Sequence, residues 1–281
     1  MFSEFFVTEQ HAQFYDVEQS YTFWLVLVSY AIAAFAAFVS FYVVERVVAA
    51  PTPNARLRWL ATGGVAMGAG IWSMHFSGMM ALKMPAWLCG NPNGDIHYDP
   101  TLTVVSAVFA MLASGFAFYF VSKQSKKLGL LLVAGVILGG GIGLMHYTGM
   151  AAMRMYAIIR YDPAWFAVSI LAAVVLASYA PWQMSYTLEA RRQERSNNRG
   201  VAALIMGLAI TLMHYAGMAS THFLAVSGEE AKGPLGGIAL NGTVVGVAIT
   251  AVAVVVLGMA LFAANKEAQR QSQPLPAAQG G

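Results

Sequence analysis

The sequence predicts an all-α integral membrane protein with seven transmembrane helices, its N-terminus outside and its C-terminus inside. Three observations carry this reading. Only 10% of the 281 residues are charged and 58% are hydrophobic, where a soluble domain has about 25% charged residues. Seven apolar runs are each long enough to span a bilayer as a helix, which takes about 20 residues. One short motif recurs on alternate runs, so the chain reads as three repeated helix pairs plus one further helix.

Residues 1–20 carry Glu4, Glu9, Asp16 and Glu18 without a Lys or Arg. This is the reverse of a cleavable signal peptide and reads as an extracytoplasmic segment. The expected spans lie near 22–44, 59–83, 101–121, 128–153, 164–186, 200–224 and 237–264, joined by short polar turns. Basic residues orient them. Arg46, Arg56 and Arg58 follow the first span, and Lys123, Lys126 and Lys127 the third. Arg191, Arg192, Arg195 and Arg199 follow the fifth, and Lys266 and Arg270 the seventh. That places 12 of the 16 Lys and Arg on one side, leaving Lys83, Arg154, Arg160 and Lys232 opposite. The positive-inside rule makes the richer side cytoplasmic. Tyr21, Trp87, Tyr161 and Trp165 fall near the outer boundaries, where interfacial aromatics belong. Residues 226–264 read as the seventh helix with its preceding loop, and 265–281 as a disordered cytoplasmic tail. The lone Cys89 excludes an internal disulfide framework, and no basic arm points to nucleic acid.

The repeat centres on His75, His146 and His214, which are 71 and 68 residues apart. Gly68, Gly139 and Gly207 stand seven residues before them, and Ile71, Ile142 and Ile210 four before. Met74, Met145 and Met213 immediately precede them; Phe76, Tyr147 and Tyr215 immediately follow. Gly78, Gly149 and Gly217 come three later, Met79, Met150 and Met218 four later, and Lys83, Arg154 and His222 eight later. All three motif helices run outward, so the histidines share one depth, about 12 Å below the residue that ends each repeat. Positions −7, −4, 0 and +4 share a helix face, giving each helix a Gly–Ile–His–Met stripe. The methionines at −1 point about 100° away from it. The glycines read as packing residues that let helices approach closely, and the +1 aromatics as packing against neighbours.

A single His or Met in a membrane helix is usually packing. Repetition of a costly ionisable residue at one depth shifts the weight toward function. Imidazole is the commonest metal ligand, and soft thioethers select Cu(I). Copper therefore explains both residue types. Zinc accounts for three histidines but gives no reason for methionine. Haem is the alternative cofactor, although three repeats match two axial positions poorly. Cys89 and His97 form a weak auxiliary pair, His222 reads as an interfacial anchor, and His11 as part of a mobile segment.

"MHFSGM", "MHYTGM" and "MHYAGM" on alternate spans resemble the MHYT domain, a bacterial integral-membrane sensor domain, over residues of roughly 20–225. The resemblance implies a copper site near the outer membrane face that senses oxygen, carbon monoxide or nitric oxide. It carries the ligand role to Met74, His75, Met79, Met145, His146, Met150, Met213, His214 and Met218. Phe-Ser and Tyr-Ala replace Tyr-Thr in the first and third motifs, so the hydroxyl is dispensable. Many members fuse this domain to a cytoplasmic signalling enzyme. The sequence shows no catalytic signature after its last span, so the expectation is a non-enzymatic sensor in the bacterial cytoplasmic membrane. It would signal to a separate cytoplasmic partner, for which the loop around Arg191–Arg199 is the candidate contact. The first alternative is copper handling or delivery for respiratory oxidase assembly. An intramembrane metal-dependent hydrolase is a distant one, since no carboxylate falls at motif depth.

Overall fold

Backbone groups inside a bilayer find no water, so each apolar run closes its hydrogen bonds as a helix. The computed structural model describes residues 5–123, 128–192, 199–225 and 238–272. Its helices are α1 (Phe23–Ala49), α2 (Pro53–Ala81), a short α3 (Ala86–Cys89), α4 (Pro100–Ser122), α5 (Leu128–Ala151), α6 (Pro163–Arg192), α7 (Arg199–Ala219) and α8 (Gly242–Ser272). Five of them, α1, α4, α5, α7 and α8, are each long and apolar enough to cross a membrane, and α6 adds a shorter apolar stretch at Pro163–Tyr179. The protein is a multi-pass, predominantly helical membrane protein.

Turn chemistry fixes where helices begin. Pro53 opens α2 behind Thr52, whose hydroxyl accepts the Ala55 N–H at 3.2 Å. Pro100 opens α4 behind Asp99, which accepts the Leu102 N–H at 3.0 Å. Asp162 and Asn241 cap α6 and α8 in the same way, through Trp165 and Val244. Such side-chain acceptors satisfy amides that have no partner in the first turn.

α1, α2, α4, α5, α6 and α7 close a ring in that order, while α8 packs outside it on α2 and α1. The motif helices α2, α5 and α7 therefore alternate with α4, α6 and α1, giving the ring an approximate threefold character. The −7 glycines set the spacing. A side chain at Gly68 would strike the backbone of Met111 in α4, one at Gly139 that of Ala173 in α6, and one at Gly207 that of Ala34 in α1. Each glycine lets one motif helix lie close against a ring neighbour, as the packing reading expects.

At the end where the motif helices finish, the connections are not simple turns. Among the described residues, eight short strands form three antiparallel sheets: β1 (Tyr15–Asp16), β7 (Thr221–Ala225) and β6 (Ala157–Tyr161); β2 (Ser20–Tyr21) and β3 (Leu82–Lys83); β5 (Met153–Arg154), β4 (His97–Tyr98) and β8 (Leu240–Asn241). Each motif helix leads into a strand of a different sheet. The motif helices accordingly stop at 81, 151 and 219, short of the 83, 153 and 224 expected from hydropathy alone. The +8 residues lie on these strands. Arg154 pairs with Asp99 at 2.6 Å and His222 with Asp16 at 2.7 Å. His222 is thus held by a carboxylate.

At the opposite end Arg199, which begins α7, bonds Glu45 of α1 at 2.7 Å, and Arg46 donates to Gln271 of α8 at 2.8 Å. This corrects the expected tail. Helix α8 continues to Ser272 because Lys266, Glu267, Gln269, Arg270 and Gln271 favour helix; residues 273–281 lie outside the described residues. So do Lys126, Lys127, Arg195, Lys232 and most of the Arg191–Arg199 loop.

Candidate metal centre

The threefold arrangement converges on the histidines. His75, His146 and His214 are 0–1% exposed. Their Nδ1 atoms form a nearly equilateral triangle with sides of 3.2, 3.2 and 3.3 Å. The rings meet edge to face, with centroids 5.0–5.1 Å apart. Among the described residues this is the one group of His, Cys, Asp and Glu side chains close enough to share an ion.

Hydrogen bonding cannot satisfy such a triangle. In a neutral imidazole each Nδ1 is either an N–H or a lone pair, so two of the three must be alike and face each other unfavourably. A cation at the centre resolves the conflict by accepting all three lone pairs. The size agrees. A triangle of this edge has its centre about 1.9 Å from each corner, against about 2.0–2.1 Å for a metal–imidazole bond. The three residues fit one ion.

The +3 glycines build the rest of the cradle. Nε2 of His75 abuts Gly149, Nε2 of His146 abuts Gly217, and Nε2 of His214 abuts Gly78. The contacts run cyclically, each histidine reaching the glycine of another motif helix. None of the three Nε2 atoms has a hydrogen-bond partner. An alanine Cβ at 78 or 217 would stand 2.6 or 2.5 Å from the facing Nε2. These glycines are packing residues, as expected, but what they admit is an imidazole edge.

All six motif methionines are buried, at 0–4% exposure, and they divide into two layers. Met74, Met145 and Met213 belong to the hydrophobic cluster in the body of the bundle, together with Ile71, Ile142 and Ile210. Met79, Met150 and Met218 belong to the cluster at the strand end. The histidine layer lies between them. The +1 aromatics pack outward from their own imidazoles: Phe76 on Trp72 and Tyr98, Tyr147 on Tyr161 and Phe166, Tyr215 on Tyr21. The Tyr147 hydroxyl bonds Ser169 at 2.6 Å. The auxiliary candidates lie apart from the triangle. Cys89 is buried in the strand-end cluster, where burial pushes its thiol up to about 11, and His97 is on β4, paired in register with Arg154. His11 bonds the backbone and hydroxyl of Thr8.

Comparison with known proteins gives a consistent picture. The family model MHYT, described as a bacterial signalling protein N-terminal repeat, matches residues 68–134, 139–196 and 207–277. Each match starts at a −7 glycine, and the third runs through α8, beyond the 225 expected from the motifs. The chain is 38% identical over 240 residues to the bifunctional diguanylate cyclase/cyclic di-GMP phosphodiesterase MucR of Pseudomonas aeruginosa, covering 84% of this chain and 34% of MucR. It is 33% identical to the signaling protein YkoW of Bacillus subtilis, covering 74% of this chain and 25% of YkoW. It is 34% identical to the cyclic di-GMP phosphodiesterase NbdA of P. aeruginosa, covering 70% of this chain and 24% of NbdA. The chain thus spans about a quarter to a third of the length of these relatives. No solved structure matches.

Proposed function

The chain belongs to the MHYT family of bacterial signalling proteins, and from that premise we propose that its histidine triangle holds one copper ion and senses oxygen, carbon monoxide or nitric oxide. The observation that carries this reading is the Nδ1 triangle, whose three lone pairs a single ion can satisfy and hydrogen bonds cannot. A bound copper ion would supply an open coordination position for a diatomic ligand. His75, His146 and His214 would hold it, the +3 glycines position the rings, and the two methionine layers keep the surroundings soft.

The triangle ties the three motif helices together, so a change at one imidazole is felt by α2, α5 and α7 at once. Helix α7 runs from His214 to Arg199, and its pair with Glu45 joins it to α1 at the far end. This supports a route from the site to the end that the basic residues assign to the cytoplasm. On this reading the protein sits in the bacterial cytoplasmic membrane with its strand end outward. Its output is the control of cyclic di-GMP turnover, the activity in the names of MucR and NbdA, through a cytoplasmic signalling partner. Complete burial of the histidines favours a resident ion over a cargo to be delivered to another protein.

Infrared spectroscopy of the Cu(I)-loaded protein under carbon monoxide tests the sensing step. A copper-bound C–O stretch that disappears in the His146→Ala variant is expected. No such band in the loaded wild-type protein would refute gas binding at this site.

A further inference from the structure

The cluster between the triangle and the strand end is rich in sulfur. Besides Met79, Met150 and Met218 it contains Met84, Met153 and Met155, each 7% exposed or less. A cavity of about 350 Å³ leads into it between β3, the 93–96 loop and the start of α8. Its lining grades in burial: Asn93 is exposed, Asp95 and Met80 are half-buried, and Met84 and Met79 are buried. Met80 sits with its sulfur against Gly246 of α8. Met79 is four residues beyond His75, about 6 Å along the same helix. The cavity therefore passes from a polar mouth to thioethers one turn from the triangle.

Methionine often merely fills a core. A filler needs no access to solvent, however, whereas Met79 and Met84 of this cluster, together with Met80, line one cavity that reaches it. Thioether is a soft, uncharged donor that favours Cu(I) over hard, hydrated cations. The mouth is suited to attract a cation. Hydrogen bonds from Thr243 and Asn241 hold the Asp95 carboxyl below the usual range, so it stays ionised at neutral pH. Lys83 also lines the mouth, with its side chain exposed and free to swing into solvent.

We propose that this cavity is the loading port of the triangle: Cu(I) enters beside Asp95, passes along the thioethers of Met84 and Met80 to Met79, and exchanges these ligands for the imidazoles. No electron moves in this transfer; one set of neutral donors replaces another. The inference rests on the reading of the triangle as a copper site.

Anaerobic Cu(I), supplied from a weak chelator to the purified full chain, is the probe. Joint Met80→Leu and Met84→Leu substitution preserves apolar volume and removes two thioethers. Uptake should slow by about tenfold or more, with the final copper content unchanged. A bulky maleimide on Asn93→Cys should slow it comparably, since Cys89 is buried with a raised pKa and does not compete for the reagent. Met155→Leu, which removes a sulfur that does not line the cavity, should load at the wild-type rate. Wild-type uptake in both blocked proteins would overturn the port and leave the copper reading intact. A wild-type chain that takes up no copper would overturn the copper reading, and the port with it.

Discussion

A methyl group at Gly217 would lie 2.5 Å from Nε2 and 2.8 Å from Cδ2 of His146, where ordinary carbon contacts need about 3.5–4.0 Å. In Gly217→Ala the imidazole must retreat by about 1 Å. It has little room, because His146 is 1% exposed and its ring already packs against Tyr147 with centroids 4.9 Å apart. Metal–ligand distances tolerate about 0.2 Å, so the displaced Nδ1 leaves the triangle. Overpacking of this kind costs about 1–3 kcal/mol, while replacing a helical glycine by alanine returns about 1 kcal/mol. The net expectation is a loss of up to about 2 kcal/mol and a fall in copper affinity of about 10–100-fold, as when other supports of a metal ligand are disturbed. Gly140→Ala is the control, since its added Cβ meets nothing within 4 Å. Thermal unfolding in detergent and a copper competition titration measure both effects. Gly217→Ala matching wild type in copper affinity, and Gly140→Ala in stability, would refute the cradle.

Further outcomes follow from the same geometry. Leucine at Met79, Met150 and Met218, which share the histidine face, should weaken Cu(I) by about tenfold and more than Cu(II). The same change at Met74, Met145 and Met213 should matter less, and equal losses in a titration of both oxidation states would refute the helical-face argument. The Asp99 carboxylate accepts the Leu102 N–H and pairs with Arg154, which together hold its pKa below the usual range. Its contribution to stability is therefore complete above the unfolded value of about 3.9 and is lost as pH falls through the lower folded value. Melting curves of Asp99→Asn should show a flatter decline than wild type below about pH 4. A reporter active only in the cytoplasm should work when fused after Gly281 and fail when fused before Tyr21; the opposite pattern would invert the assigned orientation.

Much of the helical framework was legible because hydrophobicity and charge act locally. The apolar runs that form α1, α4, α5, α7 and α8, the alternating motif and the common depth of His75, His146 and His214 all follow from spacing along the chain. So does the role of Gly68, Gly139 and Gly207 in close helix approach. The strands were not legible. Leu82–Lys83, Met153–Arg154 and Thr221–Ala225 follow their helices with no Pro or Gly to mark the boundary, and only pairing with distant segments makes them extended. Nor does spacing reveal which ring nitrogens converge, or that each +3 glycine receives a histidine from another helix. Those features depend on the order of helices around the ring. The two methionine layers were half visible. The sequence put both sets near the histidines, while their separation into different clusters required the packed structure. Helix α8 outran the apolar run because Lys266–Gln271 are strong helix formers despite their polarity.

Copper per chain, measured after anaerobic Cu(I) loading and desalting of the purified protein, tests the central claim most directly. About one ion per chain is expected for the wild-type protein, and little or none once His75, His146 and His214 are all replaced by alanine in a chain that still inserts. Undiminished copper in that triple variant would contradict the assignment of the triangle as the metal site.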